Sequence, residues 1–570
     1  MTRLQHLVIA LALFGLTAPT TASAFCGFYV TGADTSLYAN ATMTVLMREG
    51  TRTVLSMQNN YQGPPEAFAL VIPVPMVLQK EQVKTLPKDV FQRVDALSAP
   101  RLVEYWEIDP CRPPATLAPG LPQNAAPASA AGAAGTAATG SVKIEAQFTV
   151  GEYEVVILSA DDSSALDGWL RENKYNIPSG AEPVLMPYVA AGMKFFVAKV
   201  NPSKVQFDKG QAVLSPLRFY YDTQEFSLPV RLGLLNSQGS QDLIVNILAP
   251  MRYELANYPN ITVPTNIRVQ NEVRNDFGAF YEALISKVYE KQKNAVITEY
   301  SWSASSCDPC PTPPLQPTDL ATLGADVLQS ASSSGLPPGS FGAGFTLTRL
   351  HARYTKDSLG EDLVFKLAPG IAGGQGIPDR QGLMNQSVST NQGSFNSFQG
   401  RYVILHPWEQ ELTCQNPQRG FWGGPSGTMG SPPMTMGTTN AALKGTPPKA
   451  GDLQSLLAEQ VPSLGVAVRN PLPPLGTAAT KPAPAAGSGG KPSVSLAGST
   501  AVPRAGTGLA AGGGGTGTVA STDQPGRSAA SSGCGSCSPG AGRRGDLGLG
   551  WLAMLAGALI ATWLRRRSAR

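Results

Sequence analysis

Apolar and polar residues alternate with a period of two in many short segments, a pattern that indicates half-buried β-strands. Two hairpins are predicted, each with a glycine at the turn to supply a positive φ. They join residues 41–47 to 51–58 and residues 142–150 to 153–158. Further strands are predicted at residues 68–72, 193–200, 217–221, 230–235, 243–248, 345–354, 363–367 and 401–405.

Fewer segments show the three- and four-residue spacing that is typical of an amphipathic helix. In the longest, residues 276–293, Phe280, Leu284 and Val288 share one face. Shorter helices are predicted at residues 87–97, 102–106, 163–175 and 184–191. Because strands outnumber helices and do not alternate regularly with them, we expect an α+β fold with mostly antiparallel sheets and a few amphipathic helices.

The N-terminus is organised as a secretory signal peptide. Arg3 precedes an uninterrupted apolar run at residues 7–16, which is too short to span a bilayer. Ala22, Ser23 and Ala24 fit the small-x-small rule of signal cleavage. We therefore expect residues 1–24 to be removed after Ala24 on export.

The C-terminus carries a second membrane signal. Residues 547–564 are uncharged and just long enough for a transmembrane helix, and an arginine cluster follows them. Cys534 and Cys537 precede this helix in a Gly/Ser-rich segment. The order of parts over residues 533–570 resembles C-terminal sorting signals of the MYXO-CTERM type. That resemblance implies cleavage by a sorting protease and lipidation at one of the two cysteines, and a permanent single-span anchor is the alternative.

Glycine and proline together make up about 19% of the chain, against about 12% in average proteins. The excess is local to residues 113–140, which carry no charge, and to residues 421–532. Such segments cannot bury an apolar face, so we expect a flexible insertion followed, later in the chain, by a disordered stalk. The folded head is therefore predicted to comprise residues 25–112 and 141–420.

The formal net charge of +4 belongs to the termini. Without Arg3, six C-terminal arginines and Asp546, the chain has 37 basic and 39 acidic residues, a net of −2. No Lys/Arg stripe interleaved with aromatics occurs in the head, so a nucleic-acid partner is not expected. Beyond the leader only His351 and His406 remain, which argues against a multi-histidine metal centre.

The head contains five cysteines, and in an exported protein cysteines are disulfide candidates first. We predict that Cys26 pairs with Cys111 and that Cys307 pairs with Cys310, which leaves Cys414 free. Cys307 and Cys310 also match a redox CxxC pattern. However, prolines follow them at once, so no helix can begin there to stabilise a thiolate.

Both histidines have ordinary structural interpretations. His351 alternates with Arg349 and Arg353, and we expect these side chains to lie on an exposed polar strand face. His406 is expected in a loop, and no G-x-S-x-G motif supplies a nucleophile for it. A zinc site that joins His406 to the cysteines fits no tight ligand spacing.

Two acidic pairs have the residue type that glycoside hydrolases use. Asp161 and Asp162 precede a predicted helix, capped by Ser163 or Ser164, where aspartate is expected in any case. Glu409 and Glu411 form the other pair. The glycine-rich residues 370–376 lack the Lys-Ser/Thr of a P-loop and are predicted to form a loop. We assign no catalytic, cofactor-binding or metal-binding residue from the sequence.

Several segments of the head are similar to one bacterial family. They are residues 25–30 (FCGFYV), 151–160 (GEYEVVILSA), 165–178 (ALDGWLRENKYNIP), Tyr188 with 193–200 (MKFFVAKV), and the CDPC step at 307–310. Over most of residues 25–367 the chain resembles the domain-of-unknown-function family 2330. The resemblance implies an exported envelope protein and carries no established activity, so no catalytic residue can be transferred.

Together these features predict a head, a stalk and a surface anchor, located in the cell envelope or on the cell surface. We expect the head to be a non-catalytic binding or structural module whose partner is an envelope protein or a polysaccharide, without a cofactor. Two alternatives stay open. One is an envelope hydrolase that uses paired carboxylates, and the other is a redox or maturation factor that uses Cys307 and Cys310.

Overall fold

The computed structural model describes the head. The described residues are 28–31, 38–62, 68–112, 142–173, 180–208, 211–236, 241–328, 344–354, 360–424, 433–437, 450–469 and 471–472. The predicted signal peptide, the insertion, the sorting signal and its helix, and the candidates Ala24, Cys26, Cys534 and Cys537 lie outside them. No helix in the described ranges is long and apolar enough to cross a membrane.

The elements are given in chain order. The strands are β1 (Phe28–Thr31), β2 (Tyr38–Glu49), β3 (Arg52–Gln62), β4 (Phe68–Val74), β5 (Val83–Thr85), β6 (Arg101–Glu107), β7 (Lys143–Val150), β8 (Tyr153–Ser159), β9 (Lys194–Val200), β10 (Gln206–Asp208), β11 (Gln211–Val213), β12 (Leu217–Asp222), β13 (Ser227–Leu228), β14 (Gln241–Ala249), β15 (Tyr253–Leu255), β16 (Asn260–Thr262), β17 (Ile267–Arg268), β18 (Val296–Ser303), β19 (Thr346–Tyr354), β20 (Leu363–Leu367), β21 (Gly370–Gly373), β22 (Ser389–Asn391), β23 (Ser397–Gln399), β24 (Arg401–His406), β25 (Trp422–Gly423) and β26 (Met434–Gly437). The α-helices are α1 (Asp89–Ser98), α2 (Ser163–Glu172), α3 (Ala181–Ala190), α4 (Phe277–Lys291), α5 (Pro317–Leu323) and α6 (Ala450–Leu456).

The largest sheet is mixed and runs in the order β22-β21-β23-β18-β19-β14-β2-β3-β12-β5, with β16 beside β18. Most of its pairs are antiparallel, but β14 runs parallel to β2, β16 to β18 and β21 to β23. Alternation along β14 sends Leu243 and Val245 to one face and Ile244 and Leu248 to the other. Both faces are therefore apolar, and both must be covered.

A second, wholly antiparallel sheet covers one of these faces. Its order is β1-β4-β9-β8-β7, and Phe196 of β9 stacks on Phe219 of β12 with ring centroids 5.4 Å apart. The outer face of this second sheet carries α2 and α3, whose Leu166 and Leu185 share a core with Phe195. Two smaller units, β13-β20-β15 and the hairpin β10-β11, complete this side.

Helices cover the other face of the largest sheet. Val90, Phe91 and Val94 of α1 are fully buried there, next to Leu320 and Leu323 of α5. The predicted spacing for this helix is confirmed, because the residues at three- and four-residue intervals are those that face the sheet. Both α1 and α4 contact β18 and β19. The polar cluster described below lies between these two helices.

A third sheet contains a parallel core, with β17, β24 and β6 side by side and β25 and β26 antiparallel to β6. α4 packs on it, and Phe280 meets the ring of Tyr402 edge-on at 5.1 Å. Residues 450–468, here called the strap, then cover α4 with Leu453 and Leu457, both 0% exposed. The third sheet and the strap thus both pack on α4.

The α+β expectation is confirmed for the described residues, and two of its elements are wrong. Residues 102–106, predicted as a helix, belong to β6, because pairing with β24 overrides the local pattern. Residues 230–235, predicted as a strand, lie in a 3-10 helix at Arg231–Asn236. The boundary at residue 420 falls short of β25, β26, α6 and the strap, so the ordered head extends into the segment assigned to the stalk.

The strap should contribute strongly to stability. We expect Leu457→Ala to lower the free energy of unfolding by about 2–5 kcal/mol, because the truncated side chain leaves a cavity against α4. Leu472→Ala is the matched control, since Leu472 is 36% exposed, and its effect should stay below about 1 kcal/mol. Urea denaturation of the three proteins measures both values, and equal stability of L457A and the parent would contradict the packing described.

Candidate functional site

Charged side chains form a buried network between the largest sheet and the helices α1 and α4. His351 of β19 lies between two carboxylates, with Nδ1 2.6 Å from Oε1 of Glu299 and Nε2 2.8 Å from Oδ1 of Asp242. Arg349 donates Nε to Glu299 at 2.7 Å and Nη1 to Asp95 of α1 at 2.6 Å. Glu299, His351 and Arg349 are 0%, 1% and 3% exposed, so water does not compete for these bonds.

A β-bulge in β18 places Glu299 at the centre of the network. Pairing with β19 shifts between Thr298 and Tyr300, so Glu299 has no opposite residue and its side chain joins that of Tyr300 on the helix-covered face. Tyr281 of α4 donates its hydroxyl to the same carboxylate. The bulge thus gives Glu299 donors from two elements besides its own strand.

Arg353 closes the network at its outer end. Its Nε and Nη2 donate to the two oxygens of Asp242 at 2.7 and 3.0 Å, and its Nη1 donates to Ser286 of α4. Glu282 of α4 lies nearby, and burial raises the pKa of this carboxyl to about 7. Burial thus favours the protonated form of Glu282. Asp242 differs, because both of its oxygens are bonded to cations.

The network is ionic at neutral pH. Burial alone would lower the pKa of the His351 imidazole, but Glu299 and Asp242 raise it to about 9. Burial alone would raise the pKa of both carboxyls, but His351 and the neighbouring arginines hold each at about 2. The expectation that His351 lies on an exposed polar face is wrong, because α1 and α4 cover that face and supply matching charges.

The second histidine belongs to a partly exposed cluster at the carboxyl ends of β6 and β24. The His406 ring stacks on Trp106, with centroids 4.6 Å apart and planes at 19°. Its Nε2 lies 2.7 Å from Oε2 of Glu104, and Arg274 donates Nε to Oε1 at 2.9 Å and Nη2 to Oε2. Burial would raise the pKa of Glu104, but His406 and Arg274 lower it. His406 is the last residue of β24, so its placement in a loop is wrong.

Two disulfides lie in the described residues. Cys307 joins Cys310 as predicted, and Cys111 joins Cys414 with Cα atoms 5.5 Å apart. The predicted pairing of Cys111 with Cys26 and the free Cys414 are therefore wrong. The physical reason is that Cys111 and Cys414 follow the adjacent parallel strands β6 and β24, a neighbourhood that the helix predicted at 102–106 concealed.

The loop closed by Cys307 and Cys310 has a structural use. The carbonyl oxygen of Pro309 accepts from Nη1 of Arg101 at 3.0 Å, and that of Asp308 accepts from the side-chain amide of Gln399. Arg101 and Gln399 are both 0% exposed. The disulfide thus holds two acceptors for buried donors, which favours a structural role for this CxxC.

The remaining sequence candidates stay apart. Asp162, not Ser163 or Ser164, is the N-cap of α2 and accepts from the Ala165 amide at 2.7 Å. Glu409 and Glu411 are exposed. The glycine-rich residues at 370–376 begin with the strand β21, and the carbonyls of Gly374 and Gly376 accept from Gln399 and Arg401.

The four zinc-site candidates are also separated, because the cysteines are divided between two disulfides and His406 bonds to Glu104. Among the residues that the structure describes, no group of three or more His, Cys, Asp or Glu side chains is placed to hold a metal ion.

Residues 20–366 match a family described as uncharacterized protein conserved in bacteria, DUF2330. The chain belongs to the DUF2330 family. The resemblance inferred from the sequence over residues 25–367 is thereby confirmed. No curated protein and no solved structure matches the chain.

The match to DUF2330 covers one of the two clusters completely. Every charged member of the His351 network lies within residues 20–366, whereas His406 and Cys414 lie beyond the match. β24 and the strap also follow residue 366. The cluster of Glu104, Arg274 and His406 is therefore assembled from the DUF2330 region and the segment that follows it.

Sequence reasoning missed most partners in both clusters, including Asp95, Asp242 and Glu299 around His351 and Glu104 and Arg274 around His406. Charged residues inside otherwise apolar strands were the available signal, since Glu104 and Glu299 interrupt runs of β-branched and aromatic residues. Such residues are almost never buried unless they are paired, so each implied a partner elsewhere in the chain.

The His351 ion pairs should make stability depend on pH in a defined direction. The folded-state pKa of about 9 lies above the ordinary value of 6.5, so the contribution is complete below pH 6.5 and is lost as pH rises through 9. At pH 6 we expect His351→Gln to lower the free energy of unfolding by about 3–5 kcal/mol, because two buried carboxylates each lose one of their two cationic partners.

Urea unfolding of the parent and of H351Q at pH 6, 8 and 10 measures the effect. The difference in the free energy of unfolding between the two proteins should shrink at pH 10. Groups that titrate in the same way in both proteins do not contribute to this difference. A difference that stays constant from pH 6 to pH 10 would show that folding does not raise the pKa of the imidazole.

The disulfide assignment predicts a specific peptide map. Non-reducing digestion followed by mass spectrometry should recover Cys111 linked to Cys414, and Cys111→Ser should release Cys414 as a free thiol. The variant should also become more sensitive to protease near residue 414, since a loop tethered over 303 residues of sequence is set free. Recovery of Cys111 linked to Cys26 would restore the pairing expected from the sequence.

Proposed function

We propose that this DUF2330 protein is exported and anchored at the cell surface, and that its head is a non-catalytic binding module for another envelope component. The observation that carries the proposal is the state of the two histidines of the head. His351 is enclosed in a buried ion network and His406 is bonded to Glu104, so both serve structural pairs.

Disulfide bonding supports the exported location. Cys111–Cys414 and Cys307–Cys310 both lie within disulfide geometry, and disulfides persist in oxidising compartments. The signal-peptide pattern of residues 1–24 and the sorting-signal pattern of residues 533–570 point to the same route. The Gly/Pro-rich segment between the strap and residue 533 would hold the head away from the surface.

The organisation of the polar groups supports binding over the redox and hydrolase alternatives. The CxxC loop supplies carbonyl acceptors to Arg101 and Gln399, which favours a structural role for the disulfide that closes it. Asp242 is bonded through both oxygens to cations, which leaves it poorly suited to attack a substrate.

One experiment tests location and binding together. An affinity tag is placed within residues 113–140, and intact cells are treated with a membrane-impermeant crosslinker before the protein is isolated. We expect crosslinked adducts that contain one reproducible envelope protein or polysaccharide, and a mature chain that begins at Phe25 and lacks the peptide ending at Arg570.

The same crosslinking on lysed cells is the control for accessibility. Labelling that occurs only after lysis would refute the surface location. Labelling of intact cells without any reproducible partner would refute the binding role. Recovery of the intact peptide through Arg570 would refute C-terminal processing alone.

A further inference from the structure

The cluster at the ends of β6 and β24 presents an aromatic ring, that of Trp106, which is only partly buried. Trp106 is opposite His406 on β24, and on its other side it is opposite Gly423 of β25. Gly423 contributes no side chain to this side, and Trp106 is half-buried. Met434 lies opposite Glu104 and is 40% exposed, so the surface continues as an apolar patch.

Among Glu104, Arg274 and His406, hydrogen-bond donors exceed acceptors. Both oxygens of Glu104, a residue 1% exposed, are taken by Arg274 and His406. The Arg274 side chain is 41% exposed, and its Nη1 is bonded to none of the residues that the structure describes. A ligand that completes this arrangement must supply acceptor oxygens.

The cluster is also held in a fixed geometry. The two-pronged contact between Arg274 and Glu104 fixes the guanidinium, and the stack with His406 fixes the indole. Both strands that carry the cluster are parallel and end at it, and ligands commonly bind at the carboxyl ends of parallel strands. Little side-chain entropy would be lost on binding.

We propose that Trp106, His406 and Arg274, here called the Trp106 platform, bind an acidic sugar unit of a polysaccharide. The apolar face of the sugar ring lies against the indole, and its carboxylate accepts from the outward edge of Arg274. A neutral sugar matches the indole but leaves the guanidinium without an anionic partner. The proposal rests on the binding role proposed above and names the class of its ligand.

Calorimetric titration of the full-length protein, purified in detergent, tests the platform with trigalacturonic acid and maltotriose as probes. We expect the acidic trimer to bind at least about tenfold more tightly than the neutral one, since one charge-assisted hydrogen bond distinguishes them. Arg274→Lys keeps the charge but has a single nitrogen, which cannot bond to Glu104 as the guanidinium does and also present an outward edge to the ligand. This variant should weaken binding of the acidic trimer roughly tenfold to a hundredfold.

Two further variants separate ligand binding from folding. Gly423→Leu adds a side chain beside Trp106 without removing any platform group, and should abolish binding of the acidic trimer while leaving the melting temperature nearly unchanged. Arg52→Lys is the matched control, because Arg52 is 31% exposed, forks onto Asp222 and lies over Tyr220. This variant should bind like the parent.

The proposed role of the Trp106 platform is overturned by any of three results. The parent binds neither trimer, R274K and G423L bind the acidic trimer like the parent, or a glutamate-rich peptide of equal charge binds more tightly than the trimer. If the platform fails while crosslinking on cells still recovers an envelope partner, the binding function stands and its contact surface lies elsewhere.

Discussion

Glu299 carries a negative charge with no exposure to water, and the arrangement of the middle of the head follows from that constraint. A carboxylate in this position is costly unless cations and donors surround it. The bulge in β18 aims it at Arg349 and His351 of the neighbouring strand, and Tyr281 approaches from α4. Each partner is in turn held by a group on another element.

This dependence links distant parts of the chain. Asp95 on α1 forms an ion pair with Arg349, and Asp242 on β14 forms ion pairs with His351 and Arg353. α4 then contributes polar groups to the network from one side and apolar groups to the third sheet and the strap from the other. A shift of α4 would therefore leave buried charges unpaired and expose apolar surface at once, which makes its position well defined.

Local pattern predicted much of the fold and little of the chemistry. The two hairpins, α1 and α4 follow from periodicity, since alternation and three- to four-residue spacing are properties of the segment itself. Periodicity also put Arg349, His351 and Arg353 on one face, but it carries no information about what covers that face. The same limit explains the disulfide error, because only the partner strand β24 reveals that residues 101–107 are extended and that Cys111 lies near Cys414.

The parallel pairing of β6 with β24 has a consequence for the order of events in folding. Arg101 and Arg401 are in register although 300 residues of sequence separate them. Parallel strands so far apart must wait for a long loop to close, which is a slow step. If the chain is exported from its N-terminus as proposed, β6 would emerge with an open edge long before its partner. The third sheet, and the surface it carries, would thus be among the last parts of the head to form.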